Sequence, residues 1–129
     1  MAMTTHKGGC HCGRVEFEVD APEDVAATLC NCSVCSMTGF VHLIVGKSDF
    51  RLIRGADAIS TYTFKTGVAQ HYFCRHCGVK SYYVPRSHPD GISVNVNCLQ
   101  AGTIASISTE PFDGENWEQN ISQLSRISD

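Results

Sequence analysis

No stretch of this chain is apolar for the roughly 20 residues that a membrane-spanning helix needs. The first residues, Met1 to Gly9, lack the apolar segment of a secretory leader. Charge is also scarce: charged residues make up 18% and the formal net charge is -3. Nucleic-acid binders advertise themselves with a basic surplus, and none is present. Thiolates loaded with metal would make the balance more negative still. Low-complexity tracts, linkers and internal repeats are missing, so the 129 residues are read as one domain, 1–129. These absences predict an intracellular, cytoplasmic protein with neither a nucleic-acid nor a membrane partner. What the chain does have, against this plain background, is eight cysteines. In a reducing compartment, cysteines at close spacing are metal ligands rather than disulfides.

The hydropathy pattern is mostly of period two and predicts strands. Val15, Phe17 and Val19 alternate with polar residues. Further strands are expected over 40–45, 50–53, 62–64, 72–73, 82–84 and 92–96, with a short one around Ile104 and Ile107. Only the tail reads as a helix, with Asp113 as its cap and Trp117, Ile121 and Leu124 at i, i+4 and i+7. The expected fold class is mainly β: an antiparallel domain of seven to nine strands closed by one C-terminal helix.

The cysteines fall into four groups. Cys10 and Cys12 form a CxC, Cys30, Cys32 and Cys35 a CxCxxC, and Cys74 and Cys77 a CxxC followed by Gly78; Cys98 stands alone. Zinc takes four thiolates at about 2.3 Å, converging from short turns. The simplest pairing sets Cys10 and Cys12 with Cys74 and Cys77 as a closed structural site. Cys30, Cys32 and Cys35 then make a second site with three thiolates, the mark of a reactive zinc. Cys98 either closes its fourth position or is a buried thiol, and both sites being purely structural is the competing reading. Two zinc ions are the expected cofactor content.

Gly-Gly-Cys-His-Cys-Gly-Arg-Val at 8–15, Cys-Asn-Cys-Ser-Val-Cys at 30–35 and Phe-Cys-Arg-His-Cys-Gly at 73–78 resemble the glutathione-dependent formaldehyde-activating enzymes. Thr61-Tyr62-Thr63, Tyr83-Val84-Pro85-Arg86-Ser87 and Asn97-Cys98-Leu99 look like the centromere protein V branch of that family. The resemblance runs from about residue 7 to 118. It implies an Mss4-like fold with two zinc sites, Cys10, Cys12, Cys74 and Cys77 at the structural ion and Cys30, Cys32 and Cys35 at the reactive one. It further implies glutathione as the partner and a carbon–sulfur lyase reaction, the reversible joining of glutathione and formaldehyde. The basic N-terminal extension of the centromere protein V branch is not expected here, since six residues precede Lys7.

Such a reaction needs a base for the hydroxyl proton. His42, in the strand after Gly39, is the preferred candidate, ahead of His71, His76 and His11. Arg75, Lys80 and Arg86 are read as a solvated basic face around the third knuckle. The alternative function is a non-enzymatic zinc module for protein–protein interaction.

Overall fold

A computed structural model describes residues 3–31, 33–64, 67–86 and 88–112. The expected C-terminal helix, with Asp113 and Trp117, lies outside the described residues, as does Cys32. The described residues form two sheets. The smaller joins β1 (Met3–Gly9), β2 (Glu16–Pro22) and β5 (Phe50–Arg54) in the order β1-β2-β5. The larger is built from β3 (Asp24–Cys30), β4 (Val41–Gly46), β6 (Ile59–Tyr62), β7 (Gln70–Cys74), β8 (Tyr82–Val84), β9 (Gly91–Asn95) and β10 (Ser106–Phe112). Its order is β10-β3-β4-β9-β8-β7-β6. The mainly β class is as expected, with two additions. β10 pairs with β3 in parallel, and a six-residue helix, α1 (Ser33–Thr38), sits inside the second cysteine group.

Strand alternation explains the small sheet. Phe17, Val19 and Ala21 of β2 are buried, while Glu16, Glu18 and Asp20 face outward. On that outer side Arg51 meets Asp20 at 2.9 Å and Glu18 at 3.4 Å, and Arg54 meets Glu16 at 3.1 Å. The buried side packs on the large sheet through Phe17, whose ring lies 5.2 Å from Phe50 and 6.0 Å from Tyr82. Leu43 and Val45 of β4 and Ile92 and Val94 of β9 complete this core.

The opposite face of the large sheet decides the site. Residues adjacent to Leu43, Val45, Ile92 and Val94 point the other way, yet His42, Ile44, Ser93 and Asn95 are buried too. The large sheet is therefore covered on both sides over β4 and β9. Its inner face is apolar. Its outer face carries histidine, serine, asparagine and tyrosine.

Candidate metal centre and a buried polar face

Two turns bring four cysteines together. After β1, the Cys10 amide donates to the Val15 carbonyl at 3.0 Å and the Gly13 amide to the Cys10 carbonyl at 3.3 Å. After β7, the Cys74 amide donates to the Val79 carbonyl at 3.1 Å and the Gly78 amide to the Cys74 carbonyl at 2.8 Å. Gly13 and Gly78 adopt φ of 83° and 79°, a left-handed conformation that costs other residues energy. Backbone amides also donate to sulfur: Val15 N to Cys10 Sγ at 3.3 Å, and His76 N to Cys74 Sγ at 3.4 Å. Each turn thus aims its sulfurs inward.

The ligand atoms of Cys10, Cys12, Cys74 and Cys77 all lie within 4.8 Å of one another. Cys12 Sγ is 3.6 Å from both Cys10 Sγ and Cys74 Sγ. Four sulfurs at about 2.3 Å from a tetrahedral ion stand about 3.8 Å apart, so the donor set and its spacing fit a tetrahedral metal. These are the two pairs grouped by spacing in the sequence. The cluster joins the end of the small sheet to the third knuckle of the large one, and it could hold a metal ion.

The thiols differ in acidity. The Arg14 backbone and then its guanidinium bring the exposed Cys12 down to about 6. Burial pushes Cys10 up, against a hydrogen bond from Val15. At Cys77 burial acts in the same sense, but the Val79 and Cys12 backbone outweighs it and the thiol is lowered. Cys98 is raised to about 11 by burial, with Cys10 and Cys77 adding to the rise. It therefore stands on the side of the first cluster, where Leu99 bridges to Gly8 of β1.

Of the second cysteine group, Cys30 ends β3 and Cys35 lies in α1. Cys35 is buried, and its carbonyl accepts from the Phe40 amide at 3.2 Å, closing the turn into β4. The Asn97 side-chain amide donates to the Gly39 carbonyl at 3.0 Å and pins the same turn to the end of β9. Cys30 alternates with Thr28 along β3 and shares its face. Thr28 in turn pairs across to His42. Cys30 therefore ends β3 on the same side as the outer, polar face.

That face is a connected row. His42 Nδ1 lies 3.0 Å from Ser93 Oγ and 3.2 Å from Tyr83 Oη. Phe40 packs on His42 with ring centres 4.6 Å apart. Tyr83 stacks on His71 at 4.9 Å with the rings 10° from parallel. The Lys80 ammonium is 2.7 Å from His71 Nδ1. Which atom of this pair donates is set by the imidazole tautomer. The same ammonium lies 4.0 Å from the Tyr83 ring centre and 4.8 Å from that of Phe40, where the negative π faces stabilise it.

Lys80 corrects the sequence reading. It is 7% exposed and belongs to the polar face, not to a solvated basic one; Arg75 is exposed as expected. Among the candidate bases, His42 and His71 are buried at 4% each, whereas His11 and His76 are exposed. Thr28, Ser93 and Asn95 were not singled out in the sequence. The signal for them was their alternation with core residues in strands buried on both sides.

A mainly β protein with two sheets among the described residues and a four-cysteine cluster that could hold a metal ion is the class that this architecture defines. A family model described as glutathione-dependent formaldehyde-activating enzyme matches residues 5–117. The chain belongs to that family. A Halomonas elongata protein provisionally named as a glutathione-dependent formaldehyde-activating enzyme is 32% identical over 79 residues, covering 55% of this chain and 50% of the relative. The match thus spans about half the length of that curated relative. A crystal structure of a Rhodobacter sphaeroides protein superposes with a TM-score of 0.68 at 36% identity, covering 79% of this chain and 99% of the other.

Proposed function

We propose that this protein is a zinc-dependent carbon–sulfur lyase, a single domain over 1–129, that makes and breaks the adduct of glutathione and formaldehyde. The observation that carries this reading is the strand phase of Cys30, which shares its face of β3 with Thr28, the cross-strand partner of His42. The buried His42, Tyr83 and Ser93 beyond Thr28 form a face where a proton can be moved away from bulk water. Family membership and the name of the Halomonas relative supply the substrate class.

In this reading Cys10, Cys12, Cys74 and Cys77 hold one zinc ion and Cys30, Cys32 and Cys35 hold a second. The second zinc, when bound, lowers the pKa of a thiol beside it. Cys98 lies toward the first cluster, next to the Leu99–Gly8 bridge, and in this reading the fourth position of the second site is left to the substrate. The chemistry is redox-neutral. The thiol sulfur adds its electron pair to the aldehyde carbon, the C=O pair moves onto oxygen, and the thiol proton ends on that oxygen. His42 carries this proton, with Tyr83 and Ser93 fixing its ring at Nδ1. In the reverse direction the hydroxyl loses its proton, the C–S bond breaks and the thiol is released. Free thiolate ligands suit a reducing compartment, which supports a cytoplasmic location in this reading.

The test measures zinc per chain and follows glutathione–formaldehyde exchange by NMR, for wild type and Cys32→Ser. Acceleration by the wild type that is lost in Cys32→Ser supports the lyase. A fully zinc-loaded wild type that accelerates nothing leaves the alternative, a zinc module that binds another protein.

A further inference from the structure

Thr28 lies on β3 between the second knuckle and the polar row. It is 1% exposed, and among the described residues its hydroxyl has no hydrogen-bond partner. A buried hydroxyl left unmatched destabilises a fold, and native proteins rarely keep one without a reason. Valine has the same shape, suits a strand better and would remove the penalty.

Three placements say what the hydroxyl is for. Thr28 and Cys30 are two residues apart on one strand face, about 6.7 Å along β3. A small adduct held beside Cys30 therefore has the Thr28 side chain as its neighbour along the same strand face. Thr28 is also the cross-strand partner of His42. Finally, the neighbouring polar groups on this face are engaged with one another. Ser93 and Tyr83 meet His42. Asn95 donates to the Lys80 carbonyl at 3.2 Å and accepts from the Val41 and Asn97 amides at 3.3 and 3.1 Å.

We infer that Thr28 is a substrate-contact residue whose hydroxyl binds the aldehyde-derived oxygen of the thiol–aldehyde adduct, beside His42. The inference rests on the lyase reading above. As the S–C bond forms, the C=O electron pair moves to oxygen and Thr28 Oγ donates its hydrogen bond to the growing negative charge. His42 then delivers the proton that left the thiol. In the reverse direction Thr28 holds the hydroxyl while His42 takes its proton. No oxidant or second substrate is involved.

The experiment compares zinc-loaded wild type, Thr28→Val and Thr28→Ser in three measurements: thermal midpoint, glutathione affinity and glutathione–formaldehyde exchange by NMR. Glutathione itself lacks the hydroxymethyl oxygen. Thr28→Val should keep its midpoint or gain up to about 5 °C and bind glutathione within about twofold of wild type. It should exchange the adduct at least about tenfold more slowly, the size expected for losing one donor to a developing oxyanion. Thr28→Ser should restore exchange to within about threefold of wild type. Wild-type exchange in Thr28→Val overturns the inference. So does a fall in its midpoint, which marks the hydroxyl as a structural group bonded to a buried water. If the wild type does not accelerate exchange, the lyase reading fails first and this inference falls with it; equal acceleration by wild type and Thr28→Val sinks this inference alone.

Discussion

Removing metal from the four-cysteine cluster should cost a large share of the protein's stability. Cys12 and Cys74 are 62 residues apart in sequence, with sulfurs 3.6 Å apart in the fold. A link across a loop of that length removes chain entropy from the unfolded state worth about 4 kcal/mol on the cross-link relation. A domain of this size is stable by about 5–15 kcal/mol in total. Chelation is therefore expected to lower the thermal midpoint by about 15 °C. The assay is thermal or urea unfolding with and without excess chelator, under reducing conditions. Two variants assign the effect. Cys74→Ser should start low and respond little to chelator, because the cluster is already broken. Cys32→Ser should keep most of the response, because its cluster is intact. A chelated wild type that unfolds within about 2 °C of the loaded protein would refute the reasoning. The hydrogen-bonded turns would then hold the sulfurs together without a metal.

Two further outcomes follow from the charges. Arg51 and then Thr5 hold Asp20 down at about 2, well below the ordinary carboxylate. A lowered carboxyl contributes stability above its unfolded pKa and loses it as pH falls through the folded value. Wild type should thus exceed Asp20→Asn in urea midpoint at pH 6, and the two should converge near pH 2. The gap should shrink in high salt, because Arg51 is 41% exposed. In metal-stripped protein, alkylation at pH 7 followed by mass spectrometry should find Cys12 modified well before Cys98. Cys12 is exposed and lies at about 6, while burial holds Cys98 at about 11. Equal rates would show that the Arg14 contact does not form in solution.

The knuckles were legible in the sequence because covalent spacing fixes them. CxC and CxxC each close within one turn, and a glycine with positive φ follows both. Strands with clean alternation, such as β2 and β9, were legible for the same local reason. Other elements lacked a local signal. β1 reads Met-Thr-Thr-His-Lys-Gly-Gly and is held by its full-length pairing with β2. β3 switches its buried side midway: Val25 and Ala27 face the core, then Thr28 is buried on the other face, which erases the period. α1 buries only Cys35, too little for an amphipathic stripe. Lys80 misled because charge usually means surface. Here its aliphatic stem is buried and its ammonium is held by His71 and two rings.

The two faces of the large sheet divide the protein's work. The inner face, from Leu43 to Tyr82, is apolar and packs on the small sheet, and the four-cysteine cluster locks that packing at one end. Stability alone would favour an apolar outer face as well, since burying hydroxyls and imidazoles is costly unless each finds a partner. The chain instead buries His42, His71, Lys80, Ser93 and Asn95 there and matches them largely with one another. None of them is brought there by a sequence-local rule. They meet only through the register of β4, β7, β8 and β9. Local signals that fail where a polar row is assembled at depth mark the place in a fold shaped by chemistry rather than by packing. Cys30, the last residue of β3, lies on the same side of the sheet as that row.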